Sequence, residues 1–299
     1  MENRISAYIP AHIRPHLFQG RIGEVLLVTS AGIYLQFDGQ ILMLCDRAWG
    51  VLPIGIGLED FPRTAEYLRL QQGQPVTVGE DCLIFPSGEL RLEEQVAPCA
   101  GKKTHAPQRR LVRQAAEELA ALGKERGLSM LVMPLVLDTQ PADAAMPNPY
   151  CARGLVYFRK LMRALRDGDS GGIRGCLEKL LGLGPGLTPS GDDVLLGMLY
   201  IFRTIPQRAP EGAELLAAWI GRLWPRCTHP ISGAYLQAMI DGGPFERMDR
   251  LFRGLCGEDP LEIETITRIG SSSGSEMLLG MLLALKLCGY DAAQREEKI

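Results

Sequence analysis

No stretch of this 299-residue chain is apolar for long enough to cross a bilayer. The longest, 277–285, is broken by Gly280 and ended by Lys286, far short of the roughly 20 residues a span requires. The first twenty residues also lack the unbroken apolar core of a signal peptide. Basic excess is missing too: 32 Lys and Arg stand against 35 Asp and Glu, a net charge of −3. The electrostatic footprint of a nucleic-acid binder is therefore absent. Histidine is scarce, with four in the chain, and only His12 and His16 stand close together. None of the eight cysteines falls in a CxxC spacing, so a zinc site has little support. The thiols read as reduced and mostly buried. These absences describe a soluble cytoplasmic protein with neither a nucleic-acid nor a membrane partner.

What is present can build a core. Apolar residues make up 46% of the chain and charged ones 22%, with a mean hydropathy of +0.02, which excludes disorder. The length suits two domains. The first hundred residues read as β, with short strands expected at 24–29, 32–37, 40–45, 51–56, 75–78 and 82–85. Asp38-Gly39 between two of these is a hairpin signal, since a type I′ turn needs positive φ at both central positions. Six short strands without long helices between them suggest a small barrel or sandwich. A polar joint at 98–108 then marks the expected boundary.

Beyond it the period becomes helical. Leu111, Val112, Ala115, Ala116, Leu119 and Leu122 form one stripe within 108–126. Further helices are expected at 151–166, 173–181, 192–203, 212–223, 231–240, 245–255, 261–269 and 275–287, with a strand at 131–137 and a Pro-punctuated loop at 134–149. The fold class is α+β: a β-rich domain over 1–100 and a mainly helical one over 108–299.

The most informative segment is 181–199, LGLGPGLTPSGDDVLLGML. Gly182, Gly184 and Gly186 precede Thr188-Pro189-Ser190-Gly191-Asp192-Asp193, and a helix follows. No Gly-Lys-Ser/Thr ends the loop and no strand leads into it, so it is neither a Walker A loop nor a Rossmann fingerprint. A glycine-rich approach to a helix start does favour an anion, through free amides and the helix dipole. The pattern recurs 83 residues later: SGDDVLLGML at 190–199 aligns without gaps on SGSEMLLGML at 273–282, with seven identities in ten. Both copies also fit a capping box, in which Ser190 with Asp193, and Ser273 with Glu276, do no more than start helices. That account leaves Asp192 and the crowd of glycines unexplained. A parallel crossing at Gly197 and Gly280 would put the two helix starts about 10 Å beyond it, facing one pocket; an antiparallel crossing would separate them, and the sequence does not choose between the two. The amides of Gly184, Gly186, Gly191 and Gly274 and the hydroxyls of Thr188, Ser190, Ser271, Ser272 and Ser273 would then hold phosphate or carboxylate oxygens. Asp192, Asp193 and Glu276 are the candidate acid/base groups, and the acid cluster admits Mg²⁺ as a candidate cation. A third patch, RCTHPIS at 226–232, is another hydroxyl-rich helix start and adds Thr228 and Ser232 to the candidate anion ligands, with a plain N-cap as the alternative for Thr228.

GLGPGLTPSGDDVLLG, THPIS and IGSSSGSEMLLG together resemble the AllH-type subunits of oxamate carbamoyltransferase, a family acting in allantoin-derived purine catabolism. The resemblance implies carbamoyl exchange between carbamoyl phosphate and the amide nitrogen of oxamate. It also implies FdrA-type and AllG-type partner proteins. With it, Asp192 or Asp193 would orient or deprotonate the attacking amide. The alternative is a non-catalytic scaffold, or a protein that simply binds a small carboxylate or phosphate.

Overall fold

The computed structural model describes residues 5–95, 105–122, 127–139 and 148–293. It divides into two compact units, Met1–Lys102 with Gly243–Arg247, and Lys103–Gly242 with Met248–Ile299. The expected joint at 98–108 lies mostly outside the described residues.

In the first unit eight strands close into a barrel: β1 (Ile5–Pro10), β2 (Ile22–Val28), β3 (Ile33–Phe37), β4 (Gln40–Asp46), β5 (Gly55–Leu58), β6 (Pro75–Val78), β7 (Cys82–Phe85) and β8 (Gly88–Gln95). Their order around it is β1-β5-β4-β3-β2-β6-β7-β8, with a parallel β8–β1 pair completing the circle. Residues two apart on successive strands fill the interior: Ala7 and Ile9, Leu35 and Phe37, Leu42 and Leu44, Ile56 and Leu58, Val76 and Val78, Leu83 and Phe85, Leu90 and Leu92. That alternation is the pleat turning every second side chain inward. Asp38 and Gly39 both have positive φ, 46° and 83°, as a two-residue I′ turn demands. The expected strand at 51–56 is displaced to Gly55–Leu58, leaving Val51–Ile54 as buried, non-strand chain. β1, β8 and a short helix α1 (Phe61–Leu68), N-capped by Asp60, were not foreseen.

The second unit holds α2 (Arg109–Ala121), α3 (Val132–Leu135), α4 (Pro149–Arg166), α5 (Ser170–Leu180), α6 (Ser190–Thr204), α7 (Ala213–Cys227), α8 (Pro230–Ile240), most of α9 (Glu246–Leu255), α10 (Glu264–Thr267) and α11 (Ser273–Leu287). The strand expected at 131–137 is instead a 3₁₀ turn running into α3, because a short apolar run has no period of its own to distinguish the two. Of the helix expected at 261–269 only one turn, α10, forms. α6 is buried from Ser190 to Phe202 and α11 from Gly274 to Leu285. Helices apolar on every side belong at a centre, and this pair is the axis of the unit, with α7 and α8 packed on α6 and α2, α3 and α10 on α11. The seven described cysteines are free, five of them buried. Burial pushes the Cys45 and Cys288 thiols up to about 12. No helix among the described residues is long and apolar enough to cross a membrane.

Candidate functional site

The two serine-glycine helices cross through their glycines. A Cβ on Gly197 would collide with the Met277 carbonyl and stand 3.0 Å from the Gly280 Cα; one on Gly280 would collide with the Val194 carbonyl and stand 3.1 Å from the Gly197 Cα. Val194 and Met277 are aligned positions of the internal repeat. The contact is therefore reciprocal, as a local two-fold between the two helices requires. One turn toward the N-termini the same exchange recurs: the Ser273 hydroxyl faces Asp193 and the Ser190 hydroxyl faces Glu276. The Thr188 and Ser273 hydroxyls lie 3.0 Å apart. The helices run side by side in the same sense and their starts converge.

The convergent end is built differently from a pair of open amide cups. The glycine loop folds back so that the Leu183 carbonyl accepts the Gly191 amide at 2.8 Å, and the Pro189 carbonyl accepts those of Asp192 and Asp193. In the second copy the Ile269 carbonyl accepts the Gly274 amide at 3.0 Å, and the Ser272 carbonyl that of Glu276. Gly191 and Gly274 have no room for a side chain, since the Leu180 and Ile266 carbonyls occupy the space. Gly182 is pressed against the Cys227 carbonyl and Gly184 against Ser190, and these two and Gly186 have positive φ. Close packing and left-handed backbone account for the glycine crowd. Of the amides expected to hold an anion, those of Gly191 and Gly274 are already engaged.

The capping boxes are likewise replaced. Ser190 and Ser273 each occupy the first helical position, after Pro189 and Ser272, and neither helix has a side-chain cap. Their hydroxyls are spent across the interface instead. Nor is Thr228 the N-cap of α8: His229 takes that place, its Nδ1 accepting the Ile231 amide at 3.2 Å.

The two adjacent aspartates part company. Asp192, 1% exposed, accepts the Gly182 amide at 2.9 Å on Oδ1 and the hydroxyls of Thr228 and Ser232 on Oδ2, the latter at 2.7 Å. It ties the glycine loop to the α7–α8 junction. Burial raises its pKa and these three donors pull it back. Asp193, 2% exposed, turns to Glu276 instead. Burial drives the Asp193 carboxyl well above the usual carboxylate range, and the charge of Glu276 adds to the rise against the Ser273 and Thr188 hydroxyls. Glu276, fully buried, is also raised by burial, while its bonds to Ser190, the Leu128 amide, Ser272 and Asp193 hold it back. Its Oε1 accepts Leu128 N–H at 2.9 Å and its Oε2 the Ser272 hydroxyl at 3.1 Å. Two buried carboxyls in contact cannot both ionise cheaply, so the pair keeps a proton. One oxygen, Asp193 Oδ2, has no hydrogen-bond partner.

Outward from this pair lie half-buried Thr188, Ser272 and Ser273, and beyond them exposed Ser271 and Gly186. The result is a layered arrangement, with acids inside and hydroxyls between them and the surface. Sequence reasoning missed the strand of chain that clamps Glu276. Gly127 leaves no room for a side chain beside Glu276, and its carbonyl accepts the Asn148 side-chain amide at 2.9 Å. Nothing local in that segment announces a role 148 residues away. Among the described residues no group of three or more His, Cys, Asp or Glu side chains is placed to hold a metal ion.

A family model described as oxamate carbamoyltransferase subunit AllH matches residues 180–285. The match runs from the end of α5 nearly to the end of α11, spanning both helix starts and the Thr228–Ser232 patch, and supports the resemblance to an AllH-type subunit. No solved structure matches the chain.

Proposed function

We propose that this chain is the subunit of a carbamoyltransferase that carries a proton-holding acid pair, working on carbamoyl phosphate and oxamate beside FdrA-type and AllG-type proteins in allantoin-derived purine catabolism. The observation that carries the reading is the Asp193–Glu276 pair, buried behind hydroxyls at the convergence of two repeated helix starts, within the segment similar to AllH. Strongly perturbed, interacting carboxyls are what proton transfer near neutral pH requires.

In such a transfer the oxamate amide nitrogen attacks the carbamoyl carbon. A C–N bond forms, the C–O bond to phosphate breaks with its electron pair leaving on phosphate, and one N–H proton must depart. In this reading the ionised member of the pair receives that proton through Ser273 or Thr188, which stand between the acids and the surface. Ser271, exposed at the mouth, donates to phosphate or carboxylate oxygens, while Ser272 keeps its hydroxyl on Glu276. Asp192 acts as a positioning residue that holds the loop against α8. The test is turnover of the assembled complex with Asp193→Asn and Glu276→Gln: each should lose at least tenfold, the usual scale for an acid/base group. Full activity in both removes the proposal.

A second reading, a non-catalytic scaffold or a plain binder of small anions, is favoured by one observation: Asp192 and the Gly191 and Gly274 amides already have internal partners. Thermal shift of the partner-free chain with carbamoyl phosphate, phosphate and oxamate separates a scaffold from a ligand-binding subunit, because a ligand of the folded state raises its melting temperature; turnover of the assembled complex then separates a plain binder from the enzyme. No shift with any of them favours the scaffold.

A further inference from the structure

Helix α4 is charged in one sense. Arg153, Arg159, Lys160, Arg163 and Arg166 are its only ionised side chains, and it holds no acid, in a chain whose net charge is −3. All five are exposed, and among the described residues none of them makes an ion pair. The last-turn residues Arg163 and Arg166 have a local reason, since cations complement a helix C-terminus. Arg153, Arg159 and Lys160 have none. Arg159 and Arg163, like Lys160 and Arg163, stand one turn apart and repel each other. Val156, 47% exposed, sits on the same stripe as Arg153, Lys160 and Arg163, at helical spacing.

Lys160 and Arg163 of this stripe line a groove of about 370 Å³ between α4 and α5, and Arg153 and Val156 continue the stripe outside it. Ala164, Cys176, Gly172 and Gly175 complete its lining, and Tyr157 flanks Lys160. A side chain on Gly175 would meet nothing within 4 Å, so the groove is open there, whereas Gly172 is packed against Asp169 and Ala164. Asp167 and Asp169 close one end. The charge thus runs from cationic along the helix to anionic at its C-terminal end.

We infer that the α4–α5 groove docks an acidic segment of a partner protein. Its carboxylates would lie one turn apart against Lys160 and Arg163, an apolar side chain would cover Val156, and its less acidic end would meet Asp167 and Asp169. Such a segment relieves the like-charge crowding that α4 carries alone. Nucleic acid fits less well, since two carboxylates at the groove end would face its phosphates. The inference is independent of the acid pair and needs no turnover to test.

The measurement is fluorescence anisotropy of a fluorescein-labelled peptide of alternating Glu and Leu pairs, titrated with the full chain. Binding should weaken with added salt, and Lys160→Glu/Arg163→Glu should weaken it at least tenfold while circular dichroism stays unchanged. Arg63→Glu/Arg91→Glu alters net charge by the same amount on exposed sites of the barrel unit and should leave the affinity within twofold. Absent binding, equal loss in both double variants, or tighter binding of a single-stranded oligonucleotide of equal charge would each overturn it.

Discussion

Replacing Asp193 by asparagine should change how stability depends on pH, and the sign follows from burial. The folded chain holds the Asp193 carboxyl well above its ordinary value, through burial and the neighbouring charge of Glu276. The unfolded chain releases that proton near pH 4. Above the unfolded pKa and below the folded one the native state therefore binds more protons than the unfolded state, so stability falls as pH rises. One retained proton costs about 1.4 kcal/mol per pH unit through that window, which for a unit of this size is roughly 3–6 °C of melting temperature. Asparagine is neutral at every pH and close in shape to the protonated acid. Glu276 stays raised by its own burial, so the contribution that flattens is that of Asp193. Melting curves of wild type and Asp193→Asn from pH 5 to pH 8 should diverge steadily, with the variant gaining relative stability toward pH 8. Taking the difference cancels groups shared by both proteins, including His12, whose pKa burial lowers. Parallel curves would mean that the pair does not hold a proton in the folded state, and the acid/base proposal would lose its physical basis.

Other consequences follow from the same contacts. Gly197→Ala should destabilise by about 1–2 kcal/mol, since a methyl driven into the Met277 backbone overpacks by more than alanine's roughly 1 kcal/mol helix gain. Gly280→Ala should match it, and the double variant should cost less than the sum because one separation of the helices serves both; calorimetry showing no loss in either would refute the crossing. Asp192→Ala should cost about 2–4 kcal/mol in urea unfolding by stranding the Gly182 amide and two hydroxyls, whereas a loss under 1 kcal/mol would show that Asp192 does not tie the loop down.

How much of this was written in the sequence depends on whether the signal was local. The barrel strands with clean apolar alternation and the Asp38-Gly39 turn were readable because pleat and turn chemistry act within a few residues. β8, GELRLEEQ, carries the same alternation with Leu90 and Leu92 inward, but its five polar or charged positions lower its apolar content below what marks a strand. β1 contributes Ala7 and Ile9 to the core, with half-buried Ile5 packed against it. The repeat was legible as well, and so was a crossing at the glycines, though not its parallel sense: a glycine at the same position of two similar apolar helices is a signal of backbone contact that either helix alone would not give. What could not be read was partner choice. Ser190 followed three residues later by Asp193 spells a capping box, and only the second helix arriving alongside redirects serine and acid across the interface. Thr228 looks like a cap until Asp192, 36 residues earlier in the chain, claims its hydroxyl. Duplication is the common cause. Two copies of one helix start, brought together by their glycines, turn interactions that would each close within a single helix into exchanges between the pair. The acids that meet there, Asp193 and Glu276, are the aligned residues of the two copies. A shared proton between them is thus a consequence of the symmetry: a residue near a two-fold meets its own counterpart, and when that residue is an acid the two must divide one charge.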